Sequence, residues 1–131
     1  MIDKSKYILD KINHKDTVKA INKGEYLGNQ QCHVNSLSYA LSHKKANKIL
    51  GCVQVFGDDS TVAHFVVLLA NGKIIDPTYG RMASRMYSYL VIIEEYEISN
   101  FSPTRELTNL KDYMYGLLPW YIKIFSNRED F

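Results

Sequence analysis

The stretch Gly28–Tyr39, GNQQCHVNSLSY, sets the organisation of the chain. A Gly- and amide-rich turn runs into Cys32, and helical apolar spacing begins there. Val34, Leu37 and Leu41 share one face of that helix, with Cys32, Ser36, Tyr39 and His43 on the other. Ser36, Ser38 and Ala40 are small, so other elements can approach on several sides, as suits a central helix. A thiol at the start of such a helix meets unpaired N–H groups and a dipole that favour the thiolate.

About thirty residues later comes AHFVVLLANGKIIDPTYG, residues 63–80. Val62 to Ala70 is apolar at nearly every position, the pattern of a strand buried on both faces. Asn71-Gly72 is a strong hairpin signal, and Lys73 to Asp76 returns from it until Pro77 ends the ladder. His64 thus falls near the start of one strand and Asp76 at the end of the next. A plain two-residue turn would place Asp76 on the face opposite His64, because side chains alternate along a strand. A three-residue loop with Gly in the left-handed region instead sets Asp76 opposite Val66, diagonal to His64 and on its side.

Outward from these two stretches the order is simple. Lys4 to Asn13 has helical spacing at Tyr7, Ile8 and Ile12. Asp16 is a reasonable N-cap for a short surface helix through Val18 and Ile21, stopped at Gly24. Ile49 to Phe56 reads as a strand that buries Cys52, and Tyr89 to Ile98 reads as another, with a helix as the alternative. Arg81 to Ser88 is ambiguous. Ser102-Pro103 opens a helix carried by Leu107, Leu110, Met114 and Leu117, and Pro119 breaks it. The whole is α+β: one domain over residues 1–131, a central N-terminal helix packed on a small antiparallel sheet.

Composition narrows the function classes. The 131 residues are 46% hydrophobic and 23% charged, with net charge +2. That range is ordinary for a globular domain with its own core. The small, scattered positive charge argues against nucleic acid as a partner. No apolar run nears the ~18 residues a membrane span needs. Met1 to Tyr7 is polar and charged, so no signal peptide is expected, and with two cysteines the reading is a reduced, cytoplasmic chain. No metal spacing such as C-x-x-C or H-E-x-x-H occurs, no phosphate-binding loop is in register, and no cofactor is called for.

Cys32, His64 and Asp76 together supply what a cysteine nucleophile requires: a thiolate, a base, and a carboxylate to orient the base. The plain alternative is a buried structural cysteine, as most free cysteines are. An oxyanion needs donors, for which the Cys32 N–H and the amides of Asn29, Gln30 and Gln31 are at hand, Gln31 foremost. His33 diverges by ~100° around the helix from Cys32, so it is a packing residue or a substrate contact rather than the base. Tyr113, Tyr115, Trp120 and Tyr121 read as core, with an aromatic partner-binding surface as the alternative.

These residues resemble the papain-like superfamily in its broad sense, which includes bacteriocin-processing peptidases, transglutaminase-like proteins and arylamine N-acetyltransferases. The resemblance rests on QQCHVNSLSYAL and HFVVLLANGKIIDPTYG and covers roughly residues 28–80. It implies a papain-like fold and a Cys32–His64–Asp76 site acting on an amide or thioester carbon of a protein or peptide substrate. The Gln that papain-like peptidases carry six positions before the Cys corresponds here to Tyr26, whose O–H could serve the oxyanion. The resemblance equally admits a non-catalytic binding or inhibitor module on the same fold.

Overall fold

A computed structural model describes residues 3–131; Met1 and Ile2, which open the polar N-terminal stretch, lie outside the described residues. Its frame is one five-stranded antiparallel sheet in the order β1-β5-β2-β3-β4. The strands are β1 (Thr17–Val18), β2 (Ala46–Val55), β3 (Thr61–Leu69), β4 (Ile74–Ile75) and β5 (Tyr89–Glu97). The helices are α1 (Lys4–Ile12), α2 (Cys32–Ser42), α3 (Ala83–Met86), α4 (Pro103–Gly116) and α5 (Trp120–Lys123). The architecture is therefore α+β. Among the described residues no helix is long and apolar enough to cross a membrane.

Long apolar strands β2 and β3 pair along their whole length, and both are buried on both faces in their central parts. Alternation sends Ile49, Val53, Phe65 and Val67 to one face, where α1, α2 and α4 cover them. Leu50, Cys52 and Val66 go to the other face and pack against Ile74, Tyr87 and Leu90. The sheet curls around that second face. Ile21 bridges Ile75 in parallel, its N–H donating to the Ile74 carbonyl at 2.9 Å, so the chain after β1 meets the far edge strand and nearly closes the sheet.

Two helices follow the spacing of their sequences. In α1 the buried residues are Ile8 and Ile12, and the Asp3 side chain caps the helix. In α4 Pro103 sits in the first turn, and Leu110 and Met114 are buried one turn apart. Glu106 reaches back to accept from the Ser102 N–H at 3.0 Å, replacing the serine side chain expected there as a cap.

Two segments differ from the sequence-based expectation. Asp16 starts no helix: Thr17 and Val18 pair with Val91 and Leu90 instead. The polar short helix has no tertiary partner to offer, whereas the edge of β5 has open hydrogen-bonding groups. In α2 the buried face is the small one, Cys32, Ser36 and Ala40, while Val34 is 43% and Leu41 71% exposed. Small side chains let the helix axis approach β3 closely. Ser36 Oγ then donates to the Phe65 carbonyl at 3.0 Å, on the stretch of β3 that β4 leaves unpaired.

The turn after β4 is equally tight. Gly80 has φ +51°, and a Cβ there would stand 2.3 Å from the Glu25 carbonyl oxygen. Its N–H closes on the Asp76 carbonyl at 2.8 Å. Gly80→Ala is expected to destabilise the protein by about 3 kcal/mol, combining overpacking against backbone with a left-handed φ. Urea unfolding of the variant checks this; a loss below about 1 kcal/mol would show that the segment moves freely.

Candidate active site

The hairpin register decides whether His64 and Asp76 can meet. Val67 pairs with Ile75 and Leu68 with Ile74, and the Leu69 N–H donates to the Lys73 carbonyl. The loop is therefore the three residues Ala70, Asn71 and Gly72, with Gly72 at φ +86°. Asn71 Oδ1 accepts from the Lys73 N–H at 2.9 Å and stiffens the turn. This odd register carries Asp76 to the face of His64, inside the curled sheet.

There His64 Nε2–H donates to Asp76 Oδ2 at 2.7 Å. The Tyr87 hydroxyl donates to the same oxygen at 2.9 Å, and the Thr78 and Tyr79 N–H groups donate to Oδ1, each at 2.9 Å. Asp76 is wholly buried, and four donors fill its acceptor capacity. Tyr79 stacks on the His64 ring, centroids 5.2 Å apart, and Tyr26 stacks on Tyr79 at 6.4 Å.

With Nε2 engaged by Asp76, Nδ1 is the nitrogen left for Cys32. Cys32 and His64 both line one cavity of about 420 Å³. Ser36, one turn after Cys32, fixes how far along the open edge of β3 the helix start lies. Ahead of the helix, Asn29 Oδ1 accepts from the Gln31 N–H at 3.1 Å and from Asn35 Nδ2 at 2.8 Å. Asn35 Nδ2 is also 2.9 Å from Thr78 Oγ1, so the turn before Cys32 is tied to the segment that holds Asp76. From sequence Asn35 reads as a solvated helix residue, with support of a turn or of His64 as the alternative; the structure shows it supporting the turn.

The candidate oxyanion donors separate. Gln30, in the left-handed region at φ +58°, lines the Cys32 cavity; Gln31 is the exposed N-cap residue and does not. Tyr26 is half-exposed on Tyr79 and does not line the cavity either. No side chain caps α2, so the Cys32 N–H keeps no side-chain partner. Gln54, wholly buried on β2, and His33 line the same cavity. Cys52 is buried in the sheet interior, and burial pushes its thiol far up. Among the described residues no three His, Cys, Asp or Glu side chains gather as a metal's ligand set.

Burial alone would lower the His64 pKa, but the hydrogen bond and charge of Asp76, with a smaller contribution from Cys32, raise it to about 9. Burial likewise opposes ionisation of Asp76, yet His64 and the N–H and O–H donors hold its carboxyl below the ordinary value. The His64 contribution to stability is thus complete below pH 6.5 and is lost as pH rises through about 9. The Asp76 contribution is present above the ordinary carboxylate value and is lost on acidification. Stability should be flat near pH 5–6 and fall by roughly 3 kcal/mol between pH 6.5 and 10, given the size of the His64 displacement. Urea unfolding across pH checks this; the step should vanish in His64→Phe and persist in Cys32→Ala.

Compared with family models, curated proteins and solved structures, the chain matches none.

Proposed function

We propose that the protein is a small papain-like cysteine hydrolase or acyltransferase acting on a carbonyl carbon of a protein or peptide. The observation that carries the reading is the buried Asp76–His64 pair on the wall of the same cavity as a thiol at the start of α2. In this reading His64 takes the Cys32 proton, and the sulfur attacks the carbonyl carbon, moving the carbonyl electrons onto oxygen. The Cys32 N–H, with the Gln30 amide beside it, receives that oxyanion. Collapse returns the oxyanion electrons to the carbonyl, leaving a thioester, and breaks the C–N bond to expel the amine, protonated by the His64 imidazolium. Water or a second amine, deprotonated by His64, then frees the thiol. The product is hydrolysed, deamidated or transferred according to that acceptor.

The test is alkylation of the native protein by iodoacetamide across pH. Cys32 should be modified at pH 6 faster than free cysteine, with Cys52 untouched. Modification of Cys32 only at alkaline pH, or only after unfolding, would remove the reading.

One observation favours the other class, a non-catalytic protein-binding module. Trp120 is 75% and Phe125 70% exposed, with Tyr121 and Ile124 also exposed, so residues 120–125 present aromatics at the surface, among them Trp120 and Tyr121, which the sequence reading placed in the core. Such residues are typical interface anchors. Under that reading the alkylation test fails while a partner still binds.

A further inference from the structure

Among the described residues three buried side-chain polar atoms have no hydrogen-bond partner: His33 Nδ1, Gln54 Oε1 and Asp112 Oδ1. Asp112 Oδ1 is compensated by the Arg128 guanidinium, with Nε 3.0 Å away. The other two sit on the wall of one cavity, the one that holds Cys32 and His64. A buried polar atom left without a partner costs about 1–3 kcal/mol. Two such atoms beside a nucleophile are groups held ready for something that enters.

Gln54 is the more informative. It is wholly buried near the end of β2, sharing a face with Leu50 and Cys52, where an aliphatic side chain would pack without any polar cost. Its amide orientation is set by its surroundings. The Met86 carbonyl can only accept, so Nε2 faces it at 3.4 Å, and Oε1 is the atom left without a partner. Cys52 pairs with His64 and Gln54 with Val62, which puts Gln54 one pleat repeat from His64 on the same face. An acceptor without a donor therefore stands next to the base. His33 Nδ1, on the wall formed with Leu107 and Lys111 of α4, is the second open polar atom.

We infer that Gln54 is a specificity residue of the Cys32 site: its Oε1 accepts an N–H carried next to the carbonyl under attack, so the site takes amides and discriminates against esters and thioesters, which have no N–H there. His33 receives a further polar group of the same substrate. The inference rests on Cys32 being the nucleophile of this cavity, and it narrows the proposed reaction to amide chemistry.

The test uses three alkylating probes on the intact protein at pH 7: 2-iodoacetamide, 2-iodo-N-methylacetamide and 2-iodo-N,N-dimethylacetamide. The first two carry an N–H beside the carbonyl and the third does not. Each second-order rate at Cys32 is divided by the rate of the same probe with glutathione. A single hydrogen bond to a buried acceptor predicts that the first two agree and exceed the third by about three- to tenfold. In Gln54→Leu the three normalised rates should become equal. Should that variant fail to fold, the wild-type series still decides, because the N-methyl probe separates N–H recognition from size. Equal normalised rates in the wild type, or a graded fall with size that survives in Gln54→Leu, would overturn the role of Gln54. The absolute rate answers the other question: if Cys32 reacts no faster than glutathione with any probe, the nucleophile reading fails, whatever the ratio.

Discussion

Replacing His64 by Ala is expected to slow alkylation of Cys32 at pH 6 by on the order of 100-fold. An ordinary thiol with a pKa near 8.5 is only roughly one part in 300 thiolate at pH 6. In the proposed site the proton resides on the imidazole, which Asp76 keeps basic to about pH 9. Removing the ring removes the proton acceptor, and the thiol returns to ordinary behaviour. The wild-type rate should therefore change little between pH 6 and 8, while the His64→Ala rate should climb with slope one over the same range. His43→Ala is the control: that ring is stacked on Tyr39 at the far end of α2 and lines a different cavity. Its rate should match the wild type. A His64→Ala rate within threefold of the wild type would mean that the Asp76–His64 pair serves the fold and not the thiol.

Much of this site was legible because it depends on short-range rules. Asn71-Gly72 admits few turns, and the choice between even and odd loops has a single consequence for Asp76, so the condition under which it meets His64 follows from the sequence while the choice itself does not. The strands β2 and β3 follow from β-branched and apolar runs whose burial leaves little choice, whereas residues 89–98 also admit a helix and become β5 by pairing with β2. What sequence does not carry is competition between partners. Residues 16–21 fit a helix locally, yet β5 and β4 offer open backbone groups that a lone polar helix cannot match. On α2 the Leu and Val stripe marks an apolar face, but the face that docks is the one whose small residues allow Ser36 to reach the Phe65 carbonyl. Gln54 is the extreme case. A glutamine inside an apolar strand gives no sign of direction, and only the Met86 carbonyl on one side and the cavity on the other give its amide a role. Trp120 and Phe125 show the reverse: apolar residues in and just after the short helix that follows Pro119, both left exposed.

Asp76→Asn should cost about 3 kcal/mol at pH 6 and much less at pH 10. The carboxylate accepts from two backbone N–H groups on one oxygen and from His64 and Tyr87 on the other. An amide can keep only one of these pairs. The backbone donors cannot rotate, so the amide oxygen must stay with Thr78 and Tyr79, and the NH₂ must face His64 and Tyr87. The Tyr87 hydroxyl can turn to accept, and His64 can shift its proton to Nδ1. Most hydrogen bonds thus survive, and what disappears is the charge that keeps His64 protonated. The stability step between pH 6.5 and 10 should disappear with it, measured as the urea midpoint at each pH. Tyr87→Phe removes one hydrogen bond to the same oxygen and should cost about 1 kcal/mol while retaining the step. A pH-independent loss in Asp76→Asn would assign the cost to packing and lost hydrogen bonds rather than to the ion pair. The same substitution leaves a neutral imidazole with its Nδ1 proton toward Cys32, unable to take the thiol proton. Asp76→Asn should then share the slow alkylation of His64→Ala while still folding, which separates the carboxylate's part in the chemistry from its part in closing the sheet.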